Sequence, residues 1–371
     1  MRPIARRTIL EAGALGAATL AIGGVRAKGA DARRVVVGPI GAGGMGSNHL
    51  RLLSARPDVE VAYVCDVDRD RLAQGASAVE KGSGKAPVGV VDLRRVLDDR
   101  RVEAVWIATP DHWHAPAAIL ALDAGKHVYV EKPCCHNIRE GTLMAEAVKR
   151  SGKHLQVGTQ SRSTAVVRDA IDRVHGGEIG EVLVAKAWNS QLRRSIGKSK
   201  PAQPPEQLDY DLWVGPAPMV DYRPNLLPGI WRWWYDFGCG DIGNDGVHDI
   251  DVACWGLGVD AHPSRIACLG GKSFFDDDQQ FPDTQYAVFD YPDAAGPGRA
   301  KQLIFEQRIW SPYVQEGYEN GAAFYGIEGM LVIGHSVGWT LYGPKNKKRA
   351  ERVGPADLAA HHDNFLDCVR G

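Results

Sequence analysis

The chain has 371 residues, 44% of them hydrophobic and 24% charged, and a formal net charge of −1. That length predicts two domains, and the composition excludes a largely disordered chain. The near-zero charge supplies no field to attract nucleic acid or an anionic membrane surface, so neither is expected as a partner.

Residues 1–30 differ in composition from the rest of the chain. Arg6 and Arg7 precede a weakly apolar run, Ala12 to Gly24, and Ala27 or Ala30 closes a small-residue cleavage site. A basic start, a short apolar run and small residues describe an export leader, and the paired arginines point to the twin-arginine route and an extracytoplasmic, periplasmic location. A basic tail and a retained anchor are the alternatives, although the run is shorter than the ~20 residues that span a bilayer. Seven scattered cysteines, Cys65, Cys134, Cys135, Cys239, Cys254, Cys268 and Cys368, make neither an even disulfide framework nor a zinc spacing. They read as folding in a reducing compartment, which a route that carries folded proteins reconciles with export.

The first structured element is the apolar run Arg34 to Ile40, a buried strand. Gly41-Ala42-Gly43-Gly44-Met45-Gly46 comes next, then a helix with Leu50, Leu52 and Leu53. Gly41, Gly43 and Gly46 form a G-x-G-x-x-G pattern: the first for a tight turn, the second for close approach to a pyrophosphate, the third for helix–strand packing. Free N–H groups and the macrodipole at the helix start favour an anion. A second strand over Val59 to Cys65 delivers Asp66 about 20 residues past the last glycine, where a carboxylate accepts ribose hydroxyls and repels a 2′-phosphate. NAD is therefore expected as the cofactor, while Arg69 and Arg71 keep NADP open.

Alternation continues with strands over 102–108, 126–130 and 154–157 and helices over 115–124 and 138–150, which predicts a doubly wound parallel sheet. Ligands bind at the carboxyl ends of such strands. Those ends carry Thr109, Pro110, Asp111, His112, Trp113 and His114, then Glu131-Lys132-Pro133, then Gly158-Thr159-Gln160. Met45, Thr109, Pro110, His112, His114, Glu131, Lys132 and Gln160 are accordingly candidate cofactor contacts. A metal is not expected from His112 and His114, because no third ligand stands at a recognisable spacing. Cys134-Cys135 reads as buried packing.

Residues 244–257 predict a helix with Val247, Ile250, Cys254 and Leu257 as its buried stripe and Gly258 as its C-cap. Asn244, His248 and Asp251 share an adjacent face. Strands are expected over 181–188, 265–269, 285–291, 302–309, 322–327 and 330–333. The long Pro-rich stretch 191–228 reads as a functional loop. The chain ends within a helix over 355–370, which suggests truncation or an absent last element.

With these motifs in this order, residues 34 to about 343 resemble the glucose–fructose oxidoreductase/inositol dehydrogenase (Gfo/Idh/MocA) family. The match rests on Gly41–Gly46, Thr109–His114, Ala124–Val128, Glu131–Pro133 and Gly243–Asp251. After the export signal over 1–30, the resemblance implies a Rossmann domain over 33–160 and a substrate-binding α/β domain over 161–371. That last domain carries a large open, mostly antiparallel sheet that also makes a homo-oligomer. The substrate implied is a sugar or cyclitol. Lys132, at a strand end and before a proline, is placed to hydrogen-bond the reacting hydroxyl. His248 is the proton acceptor and Asn244 orients the sugar. Asn244 stands where the family's dehydrogenases usually carry Asp, so His248 should be harder to protonate; Asp111 is a second departure, where many relatives have Asn. Trp231, in the run Trp231 to Asp236, is a stacking surface for sugar, or part of an aromatic core or dimer interface. Three readings are open: an oxidoreductase with retained cofactor, a glycoside-cleaving or epimerising enzyme that oxidises transiently, or an idle sugar-binding protein on the same fold.

Overall fold

The computed structural model describes residues 33–335 and 337–371; the leader read over 1–30 lies outside them. The first half runs β1 (Val35–Ile40), α1 (Gly44–Ser54), β2 (Val59–Val61), β3 (Tyr63–Cys65), α2 (Arg69–Ser83), β4 (Val88–Val90), α3 (Arg94–Asp98), β5 (Ala104–Ile107), α4 (Asp111–Asp123), β6 (His127–Val130), α5 (Ile138–Ser151) and β7 (Leu155–Val157). The strands form one parallel seven-stranded sheet in the order β4-β3-β1-β5-β6-β7, with β2 also on β1. Chain order reverses between β1 and β5, which opens a crevice at their carboxyl ends.

The single strand expected over Val59–Cys65 is broken at Ala62. Its N–H donates to the Val37 carbonyl while its own carbonyl accepts from Val88, so the chain changes partners there. Helix α2 has only Gly75 and Val79 buried, too few apolar positions for a visible period, yet Asp68 caps its start and left-handed Gly84 its end.

The second half runs α6 (Ala165–His175), β8 (Val182–Asn189), α7 (Tyr210–Val214), α8 (Val247–Leu257), β9 (Arg265–Gly271), β10 (Thr284–Tyr291), β11 (Lys301–Arg308), β12 (Asn320–Gly326), β13 (Met330–Gly334), β14 (Gly338–Gly343), β15 (Lys347–Val353) and α9 (Leu358–Arg370). Eight strands make a sheet in the order β15-β14-β13-β12-β8-β11-β10-β9, antiparallel except where β8 meets β11. The fold is a Rossmann-type parallel sheet followed by this large mixed sheet. Helices α6 and α8 cover one face, and their Ile171, Ala253 and Leu257 share a core with Phe305 and Phe324. Gly256 permits the close approach, since a Cβ there would stand 2.3 Å from the Phe324 ring. The other face gathers Trp188, Tyr325, Met330 and Tyr342. Strand β15 carries five charged residues in seven, which suits an edge strand and leaves no apolar alternation to mark it.

Two expectations are corrected. The helix over 244–257 is in fact a π-helical turn, Ile242–Gly246, leading into α8. Its buried side is His248, Asp249, Val252, Ala253, Gly256 and Leu257, whereas Val247, Ile250 and Cys254 are half-buried. Wedged between the second sheet and the first half, α8 has no single apolar stripe. The last helix, in turn, packs on the first sheet: Phe365, Leu366 and Val369 lie in one core with Val35, Val37, Trp106 and Tyr129.

That docking buries His362 against His49, with ring nitrogens 2.8 Å apart. Burial pushes the His362 imidazole down to about 2, and His112 is likewise held at about 4. A histidine depressed in the folded state leaves stability intact above the unfolded pKa of about 6.5 and costs stability as pH falls below it, because the unfolded chain takes up protons that the folded one refuses. Moving from pH 7 to pH 5 should cost about 2 kcal/mol per such histidine. The urea midpoint of His362→Gln should drop less over that interval than that of the parent; equal drops would refute the assignment.

Candidate active site

At the switch point the glycine loop is forced close to β5. Gly41 has φ +92°, and a Cβ on it would stand 2.5 Å from the Ala108 carbonyl oxygen. Gly46 would bring a Cβ to 2.0 Å from the Gly41 oxygen, so α1 sits directly on the loop. Gly43 caps α1 with no side-chain bond and no acidic residue stands in the first turn. The helix start therefore offers free N–H groups to an anion.

These residues open into a cavity of about 770 Å³, within the range of cofactor sites. Of the residues singled out from sequence, Gly41, Gly43, Met45, Asp66, Thr109, Pro110, His114, Glu131, Lys132, Trp231 and Asn244 line it. Gly46, His112, Gln160 and His248 do not. Gly46 is packed under the loop. His112 is turned away: its Nε2 meets the Trp213 carbonyl at 3.0 Å. His114 spans the carbonyls of Thr109 and Pro133 at 2.9 and 2.6 Å. Among the described residues no three ligating side chains gather for a metal. The Cys134-Cys135 pair is half-buried against the core of the first sheet.

Asp66 does more than its position indicated. Its Oδ2 accepts from Ala42 N–H at 2.7 Å and its Oδ1 from Asp68 N–H at 2.9 Å, so it shapes the glycine loop as well as facing the cavity. Burial raises its pKa, with these two bonds and the Arg71 charge opposing. Arg71 lies over the loop, its Nη1 2.8 Å from where a Gly43 Cβ would be.

Glu131 is buried beside Lys132. Its Oε1 meets His49 Nε2 at 3.0 Å and accepts from Gln160 Nε2 at 2.8 Å, while its Oε2 faces the Lys132 N–H at 3.2 Å. Burial would push the Glu131 carboxyl up, but the His49 hydrogen bond and nearby positive charge hold it below the usual range. Gln160 thus holds Glu131 in place from outside the cavity. The Lys132 ammonium donates to the Asn244 carbonyl at 2.7 Å and to its Oδ1 at 3.2 Å, and Asn244 Nδ2 donates to Asp241 at 3.0 Å. The Asn-for-Asp departure therefore leaves Lys132 with a neutral partner.

His248 is buried behind this pair, edge-on to His335 with ring centroids 5.2 Å apart. Burial first, then the charges of Lys132 and His335, push its imidazole down to about 3. The sequence led to a histidine near neutrality but less easily protonated than in relatives; the direction agrees and the size is larger, because desolvation dominates. Its Nδ1 has no hydrogen-bond partner among the described residues.

The stretch 191–228 crosses the mouth of the crevice. Arg69 N–H donates to the Gln207 carbonyl and Asp209 N–H to Val67, just past β3, at 3.0 and 2.9 Å. Helix α7 then clamps the start of α4: Trp113 Nε1 donates to the Leu212 and Trp213 carbonyls at 3.1 and 3.0 Å. A Cβ on Gly215 would stand 2.0 Å from the Trp113 ring. Asp211, Leu212, Trp213 and Gly215 line the same cavity. This strap is visible in the sequence only as a long loop; Asp209, which caps α7 through Leu212 N–H, is the local signal that was available.

A parallel sheet with a glycine loop at its switch point and a carboxylate after the next strand defines a dinucleotide-binding oxidoreductase fold. Two family models match: "Oxidoreductase family, NAD-binding Rossmann fold" over residues 34–159, and "Oxidoreductase family, C-terminal alpha/beta domain" over 186–293. The chain is 32% identical over 303 residues to scyllo-inositol 2-dehydrogenase (NAD(+)) of Bacillus subtilis, covering 80% of this chain and 72% of that protein. It belongs to the Gfo/Idh/MocA oxidoreductase family, and its cofactor is NAD. It is also similar to a "Glycosyl hydrolase family 109 protein" of Saccharopolyspora erythraea, 31% identical over 219 residues, which is 52% of this chain. That match spans 48% of the relative, about half its length. Levoglucosan dehydrogenase, solved with NADH and levoglucosan, shares the fold with a TM-score of 0.66 at 20% identity, over 91% of this chain and 88% of that one.

Asp66→Ala should weaken NAD binding by about 10- to 100-fold, through both the loop and the ribose contact, and should narrow the preference over NADP. Calorimetric titration showing tight NADP and weak NAD in the parent protein would contradict this.

Proposed function

We propose that the protein is an NAD-dependent oxidoreductase acting on a hydroxyl or carbonyl carbon of a sugar, sugar derivative or cyclitol, with its cofactor retained between turnovers. The observation that carries the reading is the Lys132–Asn244 pair at the cavity wall, beside the glycine loop and with buried His248 behind it. Bound NAD supplies the hydride acceptor. Lys132 hydrogen-bonds the reacting hydroxyl and stabilises the negative charge that develops on its oxygen. His248, neutral across the physiological range, takes the proton. Trp231 offers an apolar face to the ring. The strap supports retention, because it is anchored on both sides of the crevice through which a dinucleotide would leave.

The likeness to the family 109 protein favours a second reading. On that reading, oxidation in this site is transient, a neighbouring C–H is acidified, and the hydride returns after a glycoside bond is cleaved or a centre epimerised. Export through the twin-arginine route and homo-oligomerisation through the open face of the second sheet complete the proposal. Export agrees with a retained cofactor, since free NAD is scarce outside the cytoplasm. Arg6→Lys with Arg7→Lys should keep the protein in the cytoplasm, and normal export of that double variant would end the twin-arginine reading.

Lys132→Ala and His248→Ala should each lower kcat by about 10²–10⁴. With the His248 imidazole pushed down to about 3, oxidation should show its acid limb well below pH 6.5, and Asn244→Asp should move that limb upward by placing a negative charge nearby. Extensive dialysis, denaturation and assay of the supernatant for nicotinamide tests retention. Protein that emerges empty and works only with added NAD is an ordinary dissociating dehydrogenase. Sugar panels separate the two chemistries, through net NADH formation or through cleavage without it.

A further inference from the structure

Three of the lysines and arginines that line the cavity have partners. Arg94 pairs with Asp92 at 2.7 Å, Arg71 faces Asp68 at 3.9 Å, and Lys132 is held by Asn244. Arg232 is different. It lines the same cavity, and its guanidinium makes no hydrogen bond or ion pair with any described residue; it lies over the Trp231 face, 5.3 Å to the ring centroid. Its Nε is buried and unpartnered. Burial lowers its pKa, and the carboxylates of Asp111, Asp241 and Asp245 oppose that from a distance. None of them gives it an oxygen: Asp241 and Asp245 are engaged by Arg193, and Asp111 Oδ2 accepts from Cys239 N–H at 3.1 Å.

The backbone that carries this side chain is held in place. Arg232 lies in the short 3₁₀ turn Ile230–Trp233, and its backbone packs so tightly on Gly238 that a Cβ there would stand 2.4 Å from the Arg232 Cα. A planar guanidinium, partly desolvated, on a rigid turn and with its donors free, matches the two oxygens of a carboxylate or phosphate. The charges around it are those of the Lys132–Asn244 end, where Asn244 bonds Asp241. The dinucleotide phosphates have their own cradle at the start of α1.

We propose that Arg232 binds an oxyanion on the substrate, so that this site takes an acidic sugar or cyclitol, a carboxylate or a phosphate ester, in preference to its neutral counterpart. This rests on the reading of the cavity as a sugar-oxidoreductase site. Nothing in the family motifs announces Arg232; the signal in the sequence is a lone arginine inside the aromatic run Trp231 to Tyr235.

The test uses full-length, NAD-saturated protein with glucose, glucuronate and glucose 6-phosphate, and galactose with galacturonate. Ligand-induced thermal shift and NADH formation are read for the parent, Arg232→Lys and Arg232→Gln. At least one acidic probe should bind where its neutral counterpart at equal concentration does not, and the responses to uronate and phosphate identify the oxyanion. Arg232→Gln should raise KM for that probe by about 10- to 100-fold, with Arg232→Lys between, while kcat and NAD affinity move by no more than about twofold. The proposal is overturned by neutral sugars binding as well as acidic ones, by no acidic probe binding, or by Arg232→Gln losing NAD instead. Should Arg232→Gln fail to fold, the parent's panel and Arg232→Lys still decide. A neutral sugar oxidised with NADH formation would sink the acidic substrate and leave the oxidoreductase standing. An acidic sugar bound without any hydride chemistry would do the reverse.

Discussion

A carboxylate taken out of water must be met by hydrogen bonds and opposing charge, and Glu131 is where this molecule meets that demand. Its oxygens are held by His49 from α1, by Gln160 after β7 and by the backbone N–H of Lys132. His49 is in turn fixed by His362 of the last helix. Parts of the chain more than 300 residues apart therefore converge on one buried group, and the residue beside it is Lys132. Removing His49 would leave buried His362 Nε2 without its partner, which costs more than the bond alone is worth. The backbone of Lys132 is thus placed by the packing of the first sheet, and Asn244 from the second half holds its ammonium at the cavity wall.

The first half was largely legible because its signals are local. Apolar runs such as Val105–Ile107 are buried on both faces and look it. The glycines of the first loop are required by contacts a few residues away. What escaped lacked that contrast. Helix α2 buries almost nothing, and β15 is a charged edge whose pairing is dictated by β14. The helix at 244–257 misled because its environment has two sides, so no single stripe describes it, and the π turn before it shifts the phase.

The site divides along the same line. Residues at strand ends, Thr109, Glu131 and Lys132, could be placed because topology alone brings strand ends together. Orientation was not readable. His112 and His114 are two residues apart, yet one points to the strap and the other lies at the cavity wall, and only long-range partners such as Trp213 decide that. The depth of His248, and with it the large depression of its titration, depends on a domain junction that no window of sequence describes. The strap and Arg232 belong to the same class: their meaning lies in what they sit against.

The strap also changes what kind of object the bound dinucleotide is. A segment from the second half is hydrogen-bonded to the first on both flanks of the cleft, so a ligand beneath it contacts both halves of the chain. Anything that binds the folded form and not the unfolded one adds RT ln(1 + [L]/Kd) to stability, about 2.7 kcal/mol at a hundredfold excess over Kd. Against a total of about 5–15 kcal/mol for a typical domain, that is a structural contribution. On the retained-cofactor reading, the dinucleotide then belongs to the energetics of the native state as much as to the chemistry, and the melting temperature of a preparation becomes a measure of how fully it is loaded.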